Sequence, residues 1–163
     1  MLRTEILINK GYAAIEEGNY QSAVAQFEKA TTISPSNSEL YAYLGEAYFL
    51  NKEYEKARKA LDKRDEIVLG EDQLTPYVIG YRGAILLAQG EVDKAQPLLE
   101  KAIAAQVHDP QIYYDFAMLK LIKKEFLEAN KLLKKIEAYD PTFYYRKIRE
   151  LTRTITTNNP DCC

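Results

Sequence analysis

The chain has 163 residues, a net charge of −2 and no stretch approaching the roughly 20 apolar residues of a membrane-spanning helix. Near-neutral charge weighs against a nucleic-acid domain, which is usually basic overall, and two cysteines that are neighbours, Cys162 and Cys163, exclude a disulfide framework. The opening Met1-Leu2-Arg3-Thr4-Glu5 lacks the apolar run of a secretory signal, so the cytoplasm is the expected compartment and a membrane partner is not expected.

Along the chain, stretches of roughly thirteen residues carry apolar side chains at i, i+3, i+4 and i+7, the period of an amphipathic helix. They come in pairs. The first pair, over residues 4–37, is broken at Gly18-Asn19, and the second, over 38–71, at Lys52-Glu53. Four extra residues follow within Leu69-Gly70-Glu71-Asp72-Gln73 before the third pair, 76–109, opens near Pro76 and breaks at Gly90-Glu91. The fourth pair, 110–143, breaks at Lys124-Glu125. A glycine at such a break can take the left-handed conformation that ends a helix. Ser38 and Asp109, before helix starts, are expected to cap free amides. Pro97, inside the third pair's second helix, loses one backbone hydrogen bond and is expected to kink its first turn.

Past Pro141 the pairing stops but one more helix is expected over residues 142–156. Its apolar stripe is Tyr144, Ile148, Leu151 and Ile155, with Arg146, Lys147, Arg149, Glu150 and Arg153 facing away. Such a helix closes the core of a stacked array. Residues 158–163 form an aperiodic tail, expected to be disordered, whose Cys162-Cys163 is read as an exposed thiol pair rather than a lipidation signal.

The pairs are copies of one unit. Ala23, Ala57, Ala95 and Ala129 are spaced by 34, 38 and 34 residues, and Gly11, Gly45, Gly83 and Ala117 repeat the same spacing twelve positions earlier. Copy two reads Tyr41-x-x-Leu44-Gly45-x-x-Tyr48, then Ala57-x-x-x-Leu61. Copy one supplies Leu7, Gly11, Ala23, Phe27, Ala30 and Pro35, and copy four Tyr113, Phe116, Ala117, Ala129, Leu133 and Pro141. The pattern resembles the tetratricopeptide repeat. Departures are Lys10 and Ala14 where the family prefers large apolar residues, and Arg82 at its leucine position in copy three. The resemblance implies an all-α fold: a right-handed α-α superhelix, or tetratricopeptide solenoid, of four helix-turn-helix repeats plus a C-terminal capping helix. A single domain over residues 1–157 is expected.

Arrays of this kind bind and rarely catalyse, and no enzyme activity is expected. His108 stands alone in a turn, so a zinc site lacks ligands, and no phosphate-binding loop, nucleophile elbow or H-E-x-x-H motif occurs. No cofactor is expected. Positions that line the concave groove in the resembling family carry over to Asn9, Tyr12, Tyr43, Glu46, Tyr77, Tyr81, Tyr114, Asp115 and Met118, the candidate partner-binding residues. The Lys, Arg and Asn clamp by which such repeats grip the C-terminal carboxylate of Hsp70 or Hsp90 is reduced to Asn9, which disfavours that ligand. Tyrosine offers large apolar area and a hydroxyl at low entropic cost. The expected partner is a protein or peptide segment, apolar with at least one basic residue, held by an interaction module of the adaptor or scaffold kind. Alternatives are a small export chaperone of tetratricopeptide type and a self-assembling homo-oligomer. RNA binding through the basic stretch Lys120–Arg153 is a less favoured third.

Overall fold

The computed structural model describes residues 2–68 and 75–158, with side chains over 3–68 and 75–149. The extra residues of copy two, the side chains of Glu150, Leu151, Arg153 and Ile155 in the expected cap, and residues 159–163 of the tail, with Cys162-Cys163, lie outside what it describes; Asn158, expected in the tail, is the last residue of the final helix. Among the described residues there are nine α-helices and no strand: α1 (Leu2–Glu16), α2 (Tyr20–Ile33), α3 (Ser38–Leu50), α4 (Tyr54–Ile67), α5 (Pro76–Ala88), α6 (Val92–Ala104), α7 (Pro110–Ile122), α8 (Phe126–Tyr139) and α9 (Pro141–Asn158). None of them is long and apolar enough to cross a membrane. They fall into two compact units, Met1–Val107 and His108–Cys163.

In the first unit the helices pair as hairpins, α1 with α2, α3 with α4 and α5 with α6, and α3 packs on α2 as α5 packs on α4. In the second, α7 pairs with α8 and α9 packs on α8. The repeated small residues explain the pairing. A Cβ on Gly11 would lie 2.5 Å from the Phe27 ring and one on Gly45 2.6 Å from Leu61, so the absent side chain is what lets the two helices of a hairpin close. Ala23, Ala57, Ala95 and Ala129 are all fully enclosed, beside Phe27, Leu61 and Leu99 in the first unit and Ile136 in the second.

Every turn within a hairpin has one geometry. At the first, Gly18 N–H donates to Ile15 (2.9 Å) and Asn19 N–H to Ala14 (2.8 Å); Lys52 and Glu53, Gly90 and Glu91, and Lys124 and Glu125 repeat this. These are Schellman closures, which satisfy the last carbonyls of the preceding helix. They require a left-handed residue, and φ is +75° at Gly18, +64° at Lys52, +85° at Gly90 and +62° at Lys124.

Asp109 caps α7 as expected, its Oδ1 accepting from the N–H groups of Gln111 (2.8 Å) and Ile112 (3.2 Å). Ser38 does not cap α3: it is the first helical residue, and Asn37 before it accepts the Glu39 N–H at 3.1 Å. An asparagine one position earlier is simply the better-placed acceptor. α6 runs through Pro97 as one helix. Arg82 occupies the family's leucine position because α4 carries acids to meet it: its guanidinium reaches Asp62 at 3.0 Å and Asp65 at 2.8 Å, and Asp65 also pairs with the buried Arg64 at 3.1 Å.

Candidate functional site

The first unit carries the expected residues of the first three copies on α1, α3 and α5. Tyr12 meets Tyr43 edge-on at 5.3 Å, and both rest on Phe27, at 5.6 and 5.9 Å. Phe27 is sealed, while Tyr12 and Tyr43 stay half-buried, each with part of its ring available. Asn9, one turn before Tyr12, is exposed. Further along, Tyr77 and Tyr81 lie 4.9 Å apart and Tyr81 meets Phe49 at 5.6 Å.

Glu46 sits among these rings, buried, and its two carboxylate oxygens are both engaged. Oε1 accepts from the Tyr81 hydroxyl at 3.1 Å and Oε2 from the Tyr77 hydroxyl. A carboxylate held by two hydroxyl donors is stabilised where an unpartnered one would be costly. Two expectations change accordingly. Tyr81 does not line an open surface; it is fully enclosed, because its ring fills the space between α3 and α5 and its hydroxyl is committed to Glu46. Glu46 does not project toward a ligand's cation, since its oxygens point at tyrosines. Burial first, then the charges of Glu39 and Glu46, raises the pKa of the Tyr43 hydroxyl, so it remains a neutral donor.

Tyr114, Asp115 and Met118 lie on α7 in the second unit. Tyr114 is half-buried against Phe143 of α9, with ring centroids 6.3 Å apart, and Met118 is half-buried. Asp115 is buried; both of its oxygens accept from the Gln111 side-chain amide, at 3.1 and 3.0 Å, so it too is engaged within the fold. Burial pushes its pKa up to about 7, against the opposing pull of the Gln111 hydrogen bond and the Lys147 charge. Gln111 Oε1 is enclosed with no protein hydrogen-bond partner among the described residues.

One contributor escaped the repeat spacing. Lys147 does not face away on α9: its Nζ stands 5.6 Å from the Tyr114 ring and 5.6 Å from Phe143, bringing a cation to a surface expected to have none. It lies outside the repeats, where no repeat register applies. Phe49, at a register position that carries Leu87 and Leu121 in the later copies, supports Tyr81 with its ring.

Paired helices, small residues at the contacts and Schellman turns spaced by 34, 38 and 34 residues define a helical-repeat protein with aromatic side chains gathered on α1, α3 and α5. The tetratricopeptide repeat family model matches residues 14–69 and 86–151, well over half of the chain, and the chain belongs to that family. In sequence it is similar to BBSome complex member BBS4 of Bos taurus, 25% identical over 127 residues; the match covers 78% of this chain but only 24% of that protein. In fold it is similar to a thermophilic tetratricopeptide repeat protein of Thermus thermophilus, with a TM-score of 0.65, 20% identity, and coverage of 93% of this chain and 81% of the other. It is also similar to the second tetratricopeptide domain of human RPAP3, solved with an HSP70 peptide, at a TM-score of 0.56, 18% identity, and coverage of 73% and 96%.

Proposed function

We propose that the chain is a protein-interaction module whose first unit receives an apolar, aromatic-tolerant segment carrying a lysine or arginine on the α1–α3–α5 face. The half-open pair Tyr12 and Tyr43, held rigid by the sealed Phe27, supports this reading. Pre-set rings bury ligand area without losing side-chain entropy on binding. The negative charge that favours a basic residue comes from exposed Glu39 and from the field of Glu46, rather than from direct contact with Glu46.

A chaperone tail is not the ligand in this reading. The HSP70 peptide bound by the RPAP3 domain ends in the acidic sequence Glu-Glu-Val-Asp. That chemistry calls for several fixed cations, and the inner positions Asn9, Tyr12, Tyr43, Glu46 and Tyr77 supply none.

Selection from a random peptide library on the wild-type chain, repeated on the Tyr43→Ala/Glu39→Lys variant with folding verified by circular dichroism, tests the proposal. Enrichment of apolar sequences with a basic residue, lost on the variant, is the expected result. Equal enrichment on both proteins would remove this face from consideration.

A further inference from the structure

The outer edge of the first hairpin carries a second, different surface. Arg3, Ile6, Leu7 and Lys10 of α1 and Lys29 and Ile33 of α2 line a groove of about 490 Å³. Ile6 and Ile33 are each 46% exposed. The positions that correspond to Ile6 in the next two copies, Leu40 and Val78, are 0% and 2% exposed, on helices that pack against α2 and α4. Ala13 repeats the contrast: it is exposed, while Ala47 and Ile85 at the same register are buried. Among the described residues, the face that α3 and α5 bury against the preceding hairpin is therefore open on α1, and what covers it elsewhere in the first unit is an α-helix.

Its chemistry differs from an internal junction in one respect. Lys10 stands where copy two has the buried Leu44. Arg3, Lys10 and Lys29 ring the apolar floor, and none of the three is ion-paired among the described residues. An apolar groove shaped for a helix and rimmed by unneutralised cations is complementary to an amphipathic helix whose apolar stripe is flanked by carboxylates. We propose that the α1–α2 edge docks such an acidic amphipathic helix from another protein, independently of the aromatic face. A second copy presenting α9 is disfavoured, since Arg146, Lys147 and Arg149 would bring like charge to the rim.

The probe is a fluorescein-labelled Ala/Leu/Glu helix with leucine at i, i+3, i+4 and i+7 and glutamate on both flanks, compared with the same peptide carrying lysine flanks. Anisotropy titration on the full chain is expected to show saturable binding of the glutamate peptide, weakened at least about tenfold by K10E/K29E. That variant should also come to prefer the lysine peptide, a swap that misfolding cannot produce, and Tyr43→Ala should leave glutamate-peptide binding intact. The proposal is overturned if wild type binds both peptides equally, or if K10E/K29E has no effect. It is also overturned if Tyr43→Ala abolishes binding, which would place the peptide on the aromatic face. Sedimentation showing a dimer that Ile6→Ser disperses would assign the groove to a second copy and overturn it as well.

Discussion

The Tyr81 hydroxyl donates to Glu46 Oε1 at 3.1 Å across the contact between α3 and α5, with both side chains buried. This bond joins copy two to copy three through a carboxyl acceptor set among aromatic rings. A hydrogen bond contributes ~0.5–1.5 kcal/mol net, and ~1.5–3 kcal/mol where one partner is charged. Tyr81→Phe removes the donor, keeps the ring against Phe49 and leaves Glu46 with the Tyr77 hydroxyl. Urea denaturation should show a loss of ~1–2 kcal/mol. Tyr81→Ala also opens a cavity and should cost ~3–5 kcal/mol. A Tyr81→Phe variant as stable as wild type would mean that the bond contributes nothing net.

Lys52 and Lys124 hold left-handed conformations at φ +64° and +62° in turns whose counterparts are Gly18 and Gly90. A side chain carries a steric cost there that glycine does not, partly offset by the greater freedom of glycine in the unfolded chain. Lys52→Gly should therefore stabilise the first unit by ~0.5–1 kcal/mol and raise its melting temperature. Lys124→Gly should do the same for the second. A fall in either melting temperature would show that the lysine makes a compensating contact.

The copy number, the hairpin breaks and the small-residue contacts were legible in the sequence because they rest on spacing: Gly11 and Gly45 mark close helix approach, and Ala23 and Ala57 the enclosed contacts. Exposure was not legible. Tyr43 and Tyr81 occupy the same register of successive copies, each two positions before the repeat glycine, yet one keeps part of its ring open and the other is sealed. The difference lies in Glu46, whose carboxylate draws the Tyr81 hydroxyl inward. Likewise Arg82 breaks the repeat pattern, and the acids that make it fit, Asp62 and Asp65, stand on a different helix. Pairings between helices depend on side-chain reach, which a repeat period does not encode.

The same Arg82 cluster is partly exposed, so its contribution should depend on salt. Its side chain is 29% exposed, against 43% for Asp62 and 27% for Asp65. Such pairs contribute up to ~1 kcal/mol each at low ionic strength. Arg82→Leu restores the family residue but leaves two carboxylates one turn apart on α4 without their shared cation. It should destabilise the chain by ~1 kcal/mol in dilute buffer and by much less at about 1 M salt, where the screening length falls to about 3 Å. A loss unchanged by salt would point to packing of the Arg82 stem as the main contribution.

Asp115 gives the second unit a distinct dependence on pH. The pKa of its carboxyl is raised from 3.8 to about 7, chiefly by burial, so the folded state favours the protonated form more than the unfolded state does. The associated stability is fully present below pH ~4, declines as pH rises toward 7 and is gone above it. A tenfold change in acidity corresponds to ~1.4 kcal/mol, so a carboxyl displaced this far carries on the order of 4 kcal/mol. Asp115→Asn keeps the shape, retains an acceptor for the Gln111 amide and removes the ionisation. Relative to wild type it should be markedly more stable at pH 8 and nearly neutral at pH 4, as read from urea midpoints at the two pH values. An NMR titration of the Asp115 carboxyl carbon should have its midpoint near 7. A midpoint near 4, together with a pH-independent effect of Asp115→Asn, would mean that the Gln111 hydrogen bonds and the Lys147 charge outweigh burial at this site.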